Sequence, residues 1–153
     1  MPVPAPVAIL LDPAATVALR RRVLRPHESE EQVAAAMNHP DLVAVGVVVD
    51  DGVVACALAQ PEACPDPVEG GSPWRLRGMA TDPGHRGRGL GAAVLARLLD
   101  EAAARGADVV WCNARLPAVG LYRRAGFETV GEPWEDPVIG PHVRMAVGLP
   151  RPG

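Results

Sequence analysis

Residues 74–105 read as a strand, a tight turn, three alternating glycines and a helix in immediate succession, and no other stretch restricts the fold as much. Trp74 opens a strand that ends at Thr81, and Asp82-Pro83-Gly84 supplies the turn. The glycines follow in Arg86-Gly87-Arg88-Gly89-Leu90-Gly91. Leu90, Val94, Leu95, Leu98 and Leu99 then recur along one side of a helix predicted over 90–105, which Gly106 closes. This order sets backbone N–H groups together at a helix N-terminus, where no carbonyl of the helix can reach them, so the segment is an anion site. Side chains at 87, 89 and 91 would hold a bulky phosphate away from those amides. Arg86 and Arg88 can add charge-assisted hydrogen bonds.

Three kinds of phosphate-binding segment share such a glycine-rich turn. A Walker-type loop needs Gly-Lys-Ser/Thr, and all fifteen basic residues of this chain are arginine. The missing lysine also excludes Schiff-base chemistry and a lysine acyl carrier. The dinucleotide fingerprint G-x-G-x-x-G/A is matched by Gly87, Gly89 and Ala92, with Asp108 near the place of its acidic residue. That fingerprint follows the first strand of a parallel sheet, whereas here a hairpin and a long loop come first. The third pattern, R/Q-x-x-G-x-G/A, fits 86–91 as it stands.

The remaining chain supplies the elements around this segment. At 153 residues it suits one domain, with a core expected over about 7–148. An apolar run at 7–11 precedes Asp12-Pro13, a cap for a helix through Leu24, and a second helix is expected to begin near Ser29. Valine-rich strands at 42–49 and 53–59 flank the hairpin turn Asp50-Asp51-Gly52. Residues 61–73 form a proline-rich loop, 108–112 a strand, 117–125 a helix closed by Gly126, and 127–130 a strand. A second proline-containing loop and a last strand at 143–147 follow. Strands and helices interleave, which predicts an α/β domain with a mixed sheet.

Charge and cysteine usage bound the partners. The net charge of −3 and a single short basic run, Arg20-Arg21-Arg22, argue against nucleic acid. Cys56, Cys64 and Cys112 are an odd set without C-x-x-C spacing, which suits a reducing cytoplasm and neither a disulfide frame nor a metal site. The prolines at 2, 4 and 6 argue against a signal peptide, and no apolar run reaches the eighteen or so residues of a membrane span.

Met79-Ala80-Thr81-Asp82-Pro83 before the glycines, and Leu121-Tyr122-Arg123-Arg124-Ala125-Gly126-Phe127 after them, complete a resemblance to the GCN5-related N-acetyltransferase (GNAT) superfamily, through its L-Y-x-x-x-G-F motif. The two motifs cover about half the chain. The resemblance implies a mostly antiparallel sheet flanked by helices, with a splayed central strand pair holding acyl-CoA. Acetyl-CoA or another acyl-CoA would be the co-substrate, with no metal. Met79, Ala80 and Thr81 would lie along the pantetheine arm, and Arg86, Gly87, Arg88, Gly89, Leu90, Gly91 and Ala92 would hold the pyrophosphate. A backbone N–H of the strand at 77–81 would polarise the thioester carbonyl, and Tyr122 would protonate the departing thiolate. Where many members carry an asparagine, seven residues before the tyrosine, this chain has Arg115. Asn113 lies two residues earlier on the same side of a strand, so either residue is a candidate for the cofactor.

The acceptor implied is a primary amine of a small molecule or peptide, with no membrane partner, and monomer and homodimer both stay open. Its recognition would fall near 25–31, 62–74 and 134–142. The stretch from Trp134-Glu135-Asp136 to Ile139-Gly140-Pro141-His142 resembles a bacterial subgroup with the tail E-x-x-G-I-P-H, although the order Ile-Gly-Pro-His departs from it. Glu135 and His142 are candidate general bases. Two alternatives remain: a non-catalytic acyl-CoA sensor, and a transferase of this fold using another donor such as aminoacyl-tRNA.

Overall fold

The computed structural model describes residues 6–150. Valine-rich runs, whose branched side chains suit a pleated surface, form β2 (Val43–Val49) and β3 (Gly52–Pro61). Their two-residue connection, Asp50-Asp51, has φ of 49° and 64°. That pair of left-handed values is the type I′ geometry that matches strand twist, so the unusual backbone falls on the aspartates and not on Gly52. β1 (Ile9–Leu11) pairs antiparallel with β2, Ile9 opposite Gly46.

Asp12 caps the next element as expected, accepting the Ala14 N–H at 3.0 Å. The first turn, Pro13–Thr16, is nevertheless a 3-10 turn, and α1 starts only at Val17 (Val17–Leu24). Thr16 accounts for the tighter start, since its hydroxyl donates back to the Pro13 carbonyl at 2.7 Å. α2 (Glu30–Ala35) opens with a capping box in which Ser29 and Gln32 each satisfy the other's backbone N–H.

The later elements are β4 (Pro73–Thr81), α3 (Leu90–Ala104), β5 (Val109–Arg115), α4 (Val119–Arg124), β6 (Glu128–Asp136) and β7 (Gly140–Gly148). Among the described residues seven strands hydrogen-bond in the order β1-β2-β3-β4-β5-β7-β6. β4 and β5 are parallel, registered from Pro73 opposite Val109 to Leu76 opposite Cys112, and α3 is the crossover that a parallel pair needs. β5 with β7 and β6 with β7 are antiparallel. The expected α/β architecture, a mostly antiparallel sheet flanked by helices, is the one found. A glycine segment after the fourth strand of such a sheet also removes the dinucleotide reading. Asp108, its proposed acid, instead accepts the N–H groups of Gly71 and Ser72 at 2.8 and 2.9 Å.

The second proline-containing loop does not exist as read. β6 runs on to Asp136, and Trp134, Glu135 and Asp136 face His142, Pro141 and Gly140 across the ladder. The register shifts between Val130 and Trp134, and Pro133, which has no N–H to give a ladder, falls inside that bulge. Asp136 closes the hairpin by accepting the N–H groups of Val138 and Ile139 at 2.8 and 3.1 Å.

Two compact units partition the chain. Of the described residues, one holds those up to Leu58 together with Gly78–Leu98, the other Ala59–Arg77 with those from Leu99 onward. In the first, Leu19, Cys56 and Ala80 form a buried cluster against which Val23, Leu24 and Val53 pack. In the second, Val110, Trp111, Cys112 and Met145 are almost wholly buried. Among the described residues no helix is long and apolar enough to cross a membrane.

Candidate active site

Asp82 organises the start of the glycine segment. Its carboxylate accepts the Gly84 N–H at 3.2 Å, meets His85 Nδ1 at 2.9 Å and accepts Arg22 Nη2 at 3.1 Å. The His85 hydrogen bond first, with the Arg22 charge and the Gly84 N–H, holds its carboxyl below the ordinary aspartate value. Its own N–H donates to the Val54 carbonyl at 2.7 Å, tying the turn to β3. The turn is anchored on one side and free on the other.

On the free side, Arg86, Gly87, Arg88 and Gly89 are exposed. Gly87 and Gly89 have φ of 78° and 76°, a conformation that costs other residues roughly 1–2 kcal/mol. A Cβ built at either would meet nothing within 4 Å, so the backbone conformation demands glycine and the space in front stays open to a ligand. Leu90 turns into the core at 7% exposure and begins α3, with the Ala93 N–H on the Gly89 carbonyl at 3.1 Å. Gly91 is half-buried and Ala92 exposed. Just upstream, Ala80 is buried while Met79 and Thr81 are partly accessible.

In the second unit the L-Y-x-x-x-G-F motif is a helix terminator. Phe127 N–H bonds the Tyr122 carbonyl and Gly126 N–H bonds the Arg123 carbonyl, both at 3.0 Å, and the Tyr122 and Phe127 rings lie 5.2 Å apart. That is the Schellman arrangement with its apolar contact, which accounts for the glycine and the phenylalanine. Tyr122 is 4% exposed, and its hydroxyl lies inside the unit, hydrogen-bonded to Cys112 of β5. Burial first, with that thiol, pushes the phenol well above its ordinary value, so it stays protonated at working pH. Cys112 is itself pushed up to about 12 by burial, despite the hydrogen bond from Tyr122.

Asn113 and Arg115 lie on the opposite face of β5 from Cys112. Asn113 accepts Arg144 Nε at 3.1 Å, and Arg115 sits across the ladder from His142. Arg144 also donates to Asp66 at 2.6 Å, and its guanidinium lies 5.0 Å from the Trp134 ring and 5.7 Å from the Trp111 ring. Arg75 covers Trp111 at 5.4 Å and donates to Glu62, whose backbone carbonyl accepts the Trp111 indole N–H. His142 is in mid-ladder, 4% exposed, stacked on Trp134 at 5.5 Å, with Nδ1 at 2.8 Å from the Gly140 carbonyl. A carbonyl can only accept, so Nδ1 carries the hydrogen and Nε2 keeps its lone pair in the neutral ring. Glu135 is exposed.

The link between Tyr122 and Cys112 and the network around Arg144 leave no local mark in the sequence. Both join elements far apart in the chain. The available signal was the alternation in β5, where Trp111, Asn113 and Arg115 share one face and Cys112 and Ala114 the other.

A mostly antiparallel seven-stranded sheet whose fourth strand passes through a glycine turn into a helix is an acetyltransferase fold. The chain belongs to the Acetyltransferase (GNAT) family, which it matches over residues 12–127. It is 37% identical to the uncharacterized N-acetyltransferase YitI of Bacillus subtilis (strain 168) over 131 residues, 85% of this chain and 87% of that protein. An aminoglycoside 6′-N-acetyltransferase complexed with coenzyme A has the same fold at TM-score 0.73, over 96% of this chain and 99% of that one, with 19% identity. So does the ribosomal-protein-S18-alanine N-acetyltransferase from Escherichia coli, at TM-score 0.73 over 96% of each chain and 22% identity. At such identities these two likenesses bear on fold alone. Family membership makes the protein a GNAT-type N-acetyltransferase, with acyl-CoA as its co-substrate.

Proposed function

We propose that the protein moves an acetyl group from acetyl-CoA to a primary amine of a small molecule or peptide by direct attack. One observation carries the donor half: exposed N–H groups at the left-handed glycines 87 and 89, before the N-terminus of a 15-residue helix, with open space where a side chain would project. Arg86 and Arg88 add charge to the pyrophosphate. Leu90 fixes the helix start, and Gly91 and Ala92 keep its first turn slim. Met79 and Thr81 bond the pantetheine arm through their main chain, with Ala80 anchored in the core between them. Asn113 and Arg115 are further contacts for the cofactor.

In the reaction the amine nitrogen forms a bond to the thioester carbonyl carbon, the C–S bond breaks, the amine gives up a proton and the sulfur accepts one. Tyr122 donates that second proton. Of the two candidate bases, His142 is the better held, by the Gly140 carbonyl and the Trp134 ring, whereas Glu135 faces solvent. The structural neighbours act on aminoglycosides and on a protein alanine, which suits an acceptor of either size. We read the chain as one domain working in the cytoplasm.

Release of free coenzyme A from acetyl-CoA across a panel of amines tests the proposal, with turnover expected on at least one amine class. Tight binding of acetyl-CoA without turnover would establish the sensor reading instead, which the engagement of the Tyr122 hydroxyl by Cys112 favours. Turnover only with aminoacyl-tRNA would move the donor.

A further inference from the structure

Cys56 of β3 holds β4 by its side chain. Its Sγ–H donates to the Gly78 carbonyl at 3.6 Å, long because sulfur is large, and its Sγ accepts the Ala80 N–H. These two main-chain groups bracket Met79. A trans peptide sets its C=O and N–H on opposite sides, and no peptide among the described residues is cis. Turning the Gly78 carbonyl toward Cys56 therefore aims the Met79 N–H the other way. Drawing the Ala80 N–H toward Cys56 aims the Met79 carbonyl that way too.

The surroundings leave this peptide little freedom. Gly78 has φ of 65°, and a Cβ there would come within 2.6 Å of Nε of Arg20, a buried side chain of α1. Residue 78 is held to glycine twice over, by conformation and by the arginine packed against it. Cys56 is fully buried, and burial pushes its thiol up to about 12, so it remains a donor at working pH. Its bonds are the weak ones of a thiol, but their geometric effect is not weak, because they act on both peptide planes beside one residue.

We propose that Cys56 is a positioning residue for acyl transfer, fixing the direction of the Met79 main-chain N–H that receives the thioester carbonyl oxygen. The inference rests on the function proposed above and adds to it a residue that never touches the substrate. Preset donors of this kind act without reorganising when charge develops, and their loss costs about 10²–10³ in rate. A loosened donor should cost less.

The test needs no acceptor. Affinities of the whole protein for acetyl-CoA and for S-ethyl-CoA, a thioether lacking the carbonyl, are compared in the parent, Cys56→Ala and Cys56→Ser, together with the infrared carbonyl stretch of bound carbon-13-labelled acetyl-CoA. One hydrogen bond predicts a preference of about threefold to tenfold for acetyl-CoA in the parent and a lowered carbonyl frequency. Cys56→Ala should abolish both, leave thioether affinity unchanged, and be reversed in part by Cys56→Ser, whose hydroxyl can make the same two bonds. Cys56→Val, apolar and close in size, replaces alanine if that variant folds poorly. An unchanged preference and frequency in Cys56→Ala or Cys56→Val would overturn the inference alone. A parent that binds neither ligand would overturn the proposed function and the inference with it.

Discussion

In the unit that carries the glycine segment, the space left open where side chains would project from Gly87 and Gly89 is faced by main chain. In the other unit the conspicuous polar groups are side chains tied to one another. Arg144 is held by Asn113 and Asp66 and flanked by two tryptophans, and Arg75 is paired to Glu62 over Trp111. The first arrangement keeps open space before it, and the second has largely found its partners within. Truncating side chains to alanine will therefore underread the first unit, where the interacting groups survive, and overread the second, where loss of a tie resembles loss of a function.

The largest effect is expected at the glycines. Gly89→Val, or Gly87→Val, should weaken coenzyme A binding by roughly 10- to 100-fold, the cost of about 1.5–3 kcal/mol expected when a charged ligand loses a backbone hydrogen bond. Isothermal titration with coenzyme A reads this directly. Arg86→Ala should cost less, and an equal loss would mean that charge rather than the amides carries the site.

Arg144→Met tests the other side. Removing a partly buried guanidinium leaves the acceptors of Asp66 and Asn113 unmatched, so thermal unfolding should report a loss of roughly 1–2 kcal/mol, while coenzyme A affinity falls by no more than about threefold, the share of the one freed contact at Asn113. A large fall in that affinity with stability intact would make the network a ligand site. The smallest effect belongs to the β2–β3 turn. Asp51→Gly relieves a left-handed aspartate and should add up to about 1 kcal/mol in a denaturant titration, with no change in turnover.

How far the sequence disclosed all this follows the same division. Backbone requirements leave a direct trace in residue choice, so the turn at Asp82, the left-handed glycines and the helix that follows were legible, as was Gly126 closing α4. Side-chain contacts leave a weaker trace. Cys56 and Cys112 show in the sequence only as members of an odd set without C-x-x-C spacing, because nothing local tells that one straddles Met79 and the other meets Tyr122. The β6–β7 hairpin read as a loop because Pro133 and Gly131 are loop-forming residues that a bulge can also absorb. The acceptor stays the least legible part, since the residues near Trp134 and His142 are engaged with each other before any substrate arrives.

In the proposed reaction the Tyr122 hydroxyl supplies the proton that the leaving sulfur takes up. Turnover by Tyr122→Phe, measured beside its coenzyme A affinity, decides whether it does. The ring contact with Phe127 survives the substitution, so the fold should hold and affinity should stay within about threefold, while kcat falls by about 10²-fold or more, as for loss of a general acid. Full turnover by Tyr122→Phe on an accepted amine would take the general-acid role from Tyr122.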